Sequence, residues 1–145
     1  MLRQSKAVWA ILGLAALGLG ISGYLTWYSY VIAVGVCPLN GYFTCSAVLT
    51  SSYSKIAGVP VALLGALWFV AVMPLSVLVS KDDKWLSFLL GWSVLGVAGV
   101  VGLQYIQIFL VRSICPLCTS AHIVGIMILA VTVSIWLSSR THSAQ

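Results

Sequence analysis

The chain is short of charge. Of its 145 residues only 6% are charged, seven of them Lys or Arg and two Asp or Glu. An ordinary soluble domain carries about 25%. With 61% hydrophobic residues and a mean hydropathy of +1.12, there is too little polar sequence to cover a soluble core. This excludes a soluble globular domain and leaves an integral membrane protein. The net charge of +5 is no nucleic-acid signature either, because the basic residues are scattered between apolar runs. The chain also lacks a Gly-x-Gly-x-x-Gly turn and any strand pattern to precede one, so no soluble dinucleotide cofactor is indicated. No internal repeat or low-complexity tract is present.

What is there is apolar length. Four runs, at about 7–34, 59–79, 85–111 and 115–137, are long enough to cross a hydrocarbon core of about 30 Å, which takes roughly 20 helical residues. The expected fold is an all-α, integral membrane four-helix bundle forming one domain over 1–145, with a long outer loop over 35–58. The first run would be about 42 Å long as a helix and must tilt or protrude. It is too long for the apolar region of a signal peptide.

Orientation follows from Lys and Arg. Arg3 and Lys6 precede the first run, Lys81 and Lys84 separate the second from the third, and Arg140 follows the fourth. All five fall on one side, against Lys55 and Arg112 on the other. The positive-inside rule then puts both termini in the cytoplasm. Trp9, Trp85 and Trp136 fall at the inner interface, and Trp27, Tyr28 and Tyr30 at the outer end of the first helix. The cysteines consequently face the periplasm, the cell exterior or a lumen, where disulfides persist.

The loop over 35–58 is longer than a structureless connection usually is. Its first part, with Cys37, Pro38, Asn40 and Gly41, reads as a turn. Ser46 to Ile56 reads as a short interfacial helix with Ser46 as N-cap, lidding the bundle with Val48, Leu49, Ser52 and Ile56 on one face. An irregular loop is the plainer alternative. In the third run, Gly91, Gly96, Gly99 and Gly102 read as small residues for close helix packing. Pro74 is a candidate kink in the second.

Four cysteines form two sequence pairs, Cys37/Cys45 and Cys115/Cys118, and allow three connectivities. Cys115-Pro116-Leu117-Cys118 opens the fourth helix. Unpaired N–H groups and the helix dipole stabilise a thiolate there, and Pro116 is tolerated in a first turn. Arg112 either lowers a thiol pKa or is a solvated anchor. Cys118 lies one turn into the membrane, and His122 follows on the same face. A histidine inside a membrane is a functional candidate, able to hydrogen-bond a carbonyl or move a proton; otherwise it caps a neighbour's backbone. From its location alone, the acceptor for electrons at Cys118 is a lipid-soluble quinone. Cys37 and Cys45 either relay electrons from an external dithiol or form a static disulfide. A four-cysteine zinc site fits poorly, because Cys-x7-Cys is not a usual zinc knuckle, and no metal is expected.

Four membrane helices, Cys-x7-Cys after the first, Ser51 six residues beyond Cys45, Gly58-Val59-Pro60-Val61-Ala62-Leu63-Leu64-Gly65 opening the second, and Cys-x-x-Cys opening the fourth together resemble the vitamin K epoxide reductase family over nearly the whole chain. The resemblance implies an electron path. A thioredoxin-like partner meets Cys37, Cys45 attacks Cys115, and Cys118 reduces a quinone of ubiquinone, menaquinone or vitamin K type. Ser51 and His122 would line its pocket. Two positions depart from the vertebrate members, which carry Tyr where this chain has His122 and Asn where it has Val61. The expectation is therefore a prokaryotic-type enzyme supporting disulfide formation. No thioredoxin domain follows Leu137, so the partner is expected to be a separate chain. The alternatives are vitamin K quinone or epoxide reduction on the same cysteines, or a non-catalytic membrane protein stapled by two disulfides.

Overall fold

The computed structural model describes residues 2–31, 45–82 and 84–143. In chain order these form α1 (Leu2–Val31), α2 (Cys45–Leu49), a short hairpin of β1 (Lys55–Ile56) and β2 (Val59–Pro60), α3 (Val61–Val79), α4 (Lys84–Tyr105) and α5 (Pro116–Ser143). Four of the helices, α1, α3, α4 and α5, are long and apolar enough to span a membrane. Each is apolar around its whole circumference, as a segment facing lipid on one side and protein on the other must be. Leu17, Leu67, Val101 and Ile123 are exposed on the outside of the bundle. Several hydroxyls inside the spans bond back to their own helix, as Thr26 does to the Ser22 carbonyl at 2.7 Å and Thr132 to that of Ile128 at 2.8 Å. Lipid would leave such groups unpaired.

The helices close a ring in which α1 touches α3 and α5, and α4 touches the same two. Ile11 and Ala15 of α1, Phe69 and Val72 of α3, Leu89 of α4 and Val124 and Ile128 of α5 fill its centre. Gly18 lets α1 lie against α3, since a Cβ there would overlap the Phe69 ring. Two indoles tie α3 to α4. Trp68 Nε1 donates to the Trp92 carbonyl at 3.1 Å, and Trp92 Nε1 donates to that of Trp68 at 3.4 Å. This satisfies both N–H groups inside an apolar layer. Pro74 lies within α3.

Three sequence expectations are corrected. The helix expected over Ser46 to Ile56 is only Cys45–Leu49, and Ser46 lies inside it rather than capping it. Hydroxyls compete for the backbone there. Thr50 Oγ1 donates to the Ser46 carbonyl, Ser51 Oγ to that of Val48 and Ser54 Oγ to that of Ser51, and a 3-10 turn over Ser52–Ser54 follows. The expected absence of strands also fails. Lys55 pairs with Pro60 and Ile56 with Val59, around Ala57 at φ 51° and Gly58 at φ 83°. Positive φ at both turn residues suits the twist of a two-residue hairpin loop. Finally, of the glycines expected to pack α4, only Gly96 meets a neighbour, the Trp68 indole. A Cβ at Gly91, Gly99 or Gly102 would touch nothing.

The long helices also run further than their apolar cores. α1 begins at Leu2 and α5 continues to Ser143. A cation stacks on the last turns of α5, with the Arg140 guanidinium 4.2 Å from the Trp136 ring centre.

A candidate redox site at the head of helix α5

The site begins where α4 ends. Beyond Tyr105 the chain widens into a π-helical turn, Ile106–Val111, a form that often accompanies functional sites. Arg112 stops it in the left-handed region at φ 54°, with the Ser113 N–H on the Gln107 carbonyl at 3.2 Å. This stop is usually a glycine's. Of the turn, only Gln107 is buried. Its side-chain Oε1 accepts the Cys115 N–H at 3.0 Å, and so holds the start of the Cys-x-x-Cys turn.

Cys115 then acts as the N-cap of α5. Its carbonyl takes the Thr119 N–H at 2.9 Å, and its sulfur takes the Cys118 N–H at 3.2 Å. A serine or aspartate oxygen commonly fills this position. Cys45 opens α2. Cys45 and Cys115 are 1% and 0% exposed and share one small cluster with Leu25, against which Cys118 packs. Cys115 is close enough to both Cys118 and Cys45 for each to act on its thiol. The bond with Cys118, then burial, hold the Cys115 thiol well above its usual range, against the opposing pull of the Cys118 N–H and of Cys45. Cys45, Cys115 and Cys118 are thus neighbours in one cluster, and thiol–disulfide exchange requires such proximity. Cys37 lies outside the described residues.

Beside this cluster is a cavity of about 510 Å³, walled almost entirely by apolar side chains. Cys118, His122 and Ser51 all reach it, whereas Cys45 and Cys115 do not. Gly96, Gly99 and Gly102 of α4 form part of its wall. Gly96 makes room for the Trp68 indole, whereas the missing side chains of Gly99 and Gly102 leave room for a ligand. Of the expected lid residues Val48, Leu49 and Ile56 cover it, from a short helix and a hairpin, whereas Ser52 does not line it. Ser51 spends its hydroxyl hydrogen on the Val48 carbonyl at 2.7 Å. His122 Nδ1 lies 3.0 Å from Gln104 Oε1. An amide oxygen only accepts, so in this pairing Nδ1 carries the proton and Nε2 is left as an acceptor. The size, apolar wall and few polar atoms suit a quinone head group. Arg112 is exposed.

Sequence reasoning missed Gln104 and Gln107. Their signal was present, since each is a polar amide within an otherwise apolar membrane run. Among the described residues no group of three or more His, Cys, Asp or Glu could hold a metal ion.

The family model for the vitamin K epoxide reductase family matches residues 9–133. That stretch runs from within the first span to within the fourth and takes in the lid and the cysteine turn. Members of this family are membrane oxidoreductases that use quinones, and the apolar spans fit that class. The chain belongs to the vitamin K epoxide reductase family and is an integral membrane oxidoreductase.

Proposed function

We propose that this chain is a membrane dithiol:quinone oxidoreductase that keeps an extracytoplasmic thioredoxin-like protein oxidised and so supports disulfide formation. The observation that carries the reading is the placement of Cys118 on the wall of an apolar cavity while its partner Cys115 contacts Cys45. One end of the cysteine cluster is open to a lipid-soluble acceptor, and the other begins in the loop.

In the proposed cycle a thiolate of the partner attacks Cys37 and releases Cys45. The partner's second thiol resolves the mixed disulfide and leaves the partner oxidised. Cys45 attacks Cys115 of the Cys115–Cys118 disulfide and releases Cys118 as a thiolate. Cys37 then attacks Cys45, restoring the loop disulfide and freeing Cys115. Closure of Cys115–Cys118 passes two electrons to the quinone, which takes up two protons and leaves as quinol. His122, with its N–H on Gln104, offers Nε2 to the quinol hydroxyl, and Ser51 holds the lid turn over the cavity.

The positive-inside distribution supports cytoplasmic termini and cysteines on the outer side. The stacking of Arg140 on Trp136 suits an inner-interface anchor. His122 and Val61, where vertebrate members carry Tyr and Asn, favour quinone over epoxide as the acceptor. Both line the cavity.

The test is quinone reduction by purified protein in detergent, with a reduced thioredoxin-like protein or a small dithiol as donor, beside Cys118→Ala. Turnover by the wild type and none by the variant is expected. A folded wild type that reduces no ubiquinone, menaquinone or vitamin K quinone overturns the reading.

A further inference from the structure

We propose that Gln107 is the hydrogen-bond donor to the quinone carbonyl, and that it grips the quinone and the Cys115 turn with the two ends of one amide. The inference rests on the quinone reading above and adds to it a ligand residue that lies outside the cysteine motif.

The argument starts from which end of the amide faces where. A backbone N–H can only donate, so the Cys115 N–H at 3.0 Å fixes the Gln107 carbonyl oxygen toward the cysteine turn. The NH2 group is then the other end. It has no hydrogen-bond partner among the described residues, yet it is not among the sealed unpartnered polar atoms, which are Ser93 Oγ and Thr119 Oγ1. The residue is 4% exposed and lines the cavity. A buried amide donor that is neither paired nor sealed opens into the space it borders, and without a ligand it carries a desolvation cost.

The other donors around the cavity are mostly committed. Trp68 Nε1 is on the Trp92 carbonyl, Ser51 Oγ on that of Val48, Ser54 Oγ on that of Ser51, and His122 Nδ1 pairs with Gln104. Among the described residues Ser22 on α1 and Tyr53 on the lid find no hydrogen-bond partner for their hydroxyls, but neither is bonded to the cysteine turn. Among the described residues that border the cavity, Gln107 is the one whose side chain accepts the backbone N–H of Cys115, and the partner of that residue, Cys118, must hand over electrons. A carbonyl oxygen that gains electron density in becoming quinol bonds more strongly to an N–H donor, so the contact favours the product side of the transfer.

The test uses the full chain in detergent with a quinone carrying carbon-13 at each carbonyl in turn, read by infrared difference spectroscopy and by quinone KM. In the wild type one carbonyl stretch should lie below its value in detergent alone. In Gln107→Leu that band should return to the free value, and quinone KM should rise about tenfold, the loss of one buried hydrogen bond. Gln107→Glu at mildly acidic pH should keep the lowered band, because a neutral carboxylic acid accepts from Cys115 and donates to the quinone. If Gln107→Leu does not fold, Gln107→Met and Gln107→Glu carry the same comparison. An unmoved band in a folded Gln107→Leu, or one that moves in Ser22→Ala instead, overturns the proposal while leaving the quinone reading intact. A wild type that binds no quinone overturns both.

Discussion

The backbone N–H of Cys118 points at the sulfur of Cys115, 3.2 Å away. One thiol therefore caps the helix that carries the other. The cap and the chemistry separate by substitution. Cys115→Ser keeps an oxygen that accepts the same N–H, whereas Cys115→Ala leaves it unpaired at the start of a 28-residue helix. Thermal unfolding in detergent should find Cys115→Ala less stable than Cys115→Ser by about 1 kcal/mol. Both should be inactive in dithiol-dependent quinone reduction. Equal stability would mean that the sulfur is a bystander to the fold.

The reduced protein should resist alkylation at Cys115. The bond with Cys118, then burial, raise its thiol above the usual value near 9, and only the thiolate reacts. In the unfolded chain the same thiol ionises near that value. As pH rises through it, the unfolded state loses a proton that the native state keeps, so the reduced form loses stability. Peptide mapping after iodoacetamide at neutral pH should find Cys115 labelled at least tenfold more slowly in native than in denatured reduced protein. A shallower loss of stability above about pH 9 is expected in Cys115→Ser, which has no thiol to titrate. Rapid native labelling of Cys115 would contradict the buried, protonated thiol.

His122 pairs with Gln104 at 3.0 Å and lines the cavity below Cys118. His122→Phe keeps a ring of similar size but offers no acceptor to a quinol hydroxyl and leaves Gln104 unpaired. Quinone KM should rise about tenfold, while reduction of the enzyme's disulfides by a small dithiol, followed without quinone, keeps its rate. Gln104→Leu should show a smaller rise, since it removes the partner that sets the tautomer and leaves the ring in place. Unchanged quinone kinetics in His122→Phe would take the histidine out of the site.

What was legible in the sequence follows from which forces act locally. The spans were, because twenty apolar residues have one stable state in lipid whatever their neighbours. The expected 59–79 and the observed α3, Val61–Val79, differ by a hairpin strand. Cys118 and His122 were legible because helical spacing alone puts them on one face. The short lid was not, since α2 ends where three hydroxyls find backbone carbonyls, and propensity does not say which will. Gln107 was hidden for a different reason. Its partner, the Cys115 N–H, is brought to it by a π-helical turn and a left-handed Arg112 that no periodicity announces.

The glycines of α4 give the sharpest contrast, because four residues read alike in sequence do different work. At Gly96 a Cβ would overlap the Trp68 indole, which is held in place by the Trp92 carbonyl. The ring cannot yield without breaking the tie between α3 and α4. Gly96→Ala should therefore destabilise the bundle by about 1–3 kcal/mol. At Gly99 and Gly102 a Cβ meets nothing, yet both border the cavity. Gly99→Val and Gly102→Val should fold with near-native stability and shrink the space available to a ligand. Quinone KM should rise severalfold, most for quinones with bulky ring substituents, while dithiol reduction of the cysteines is unaffected. Thermal unfolding and quinone kinetics on the three variants decide the matter together. A stable Gly96→Ala, or a Gly99→Val that unfolds, would return these glycines to helix packing. Full quinone affinity in both valine variants would mean that the ligand does not occupy this cavity.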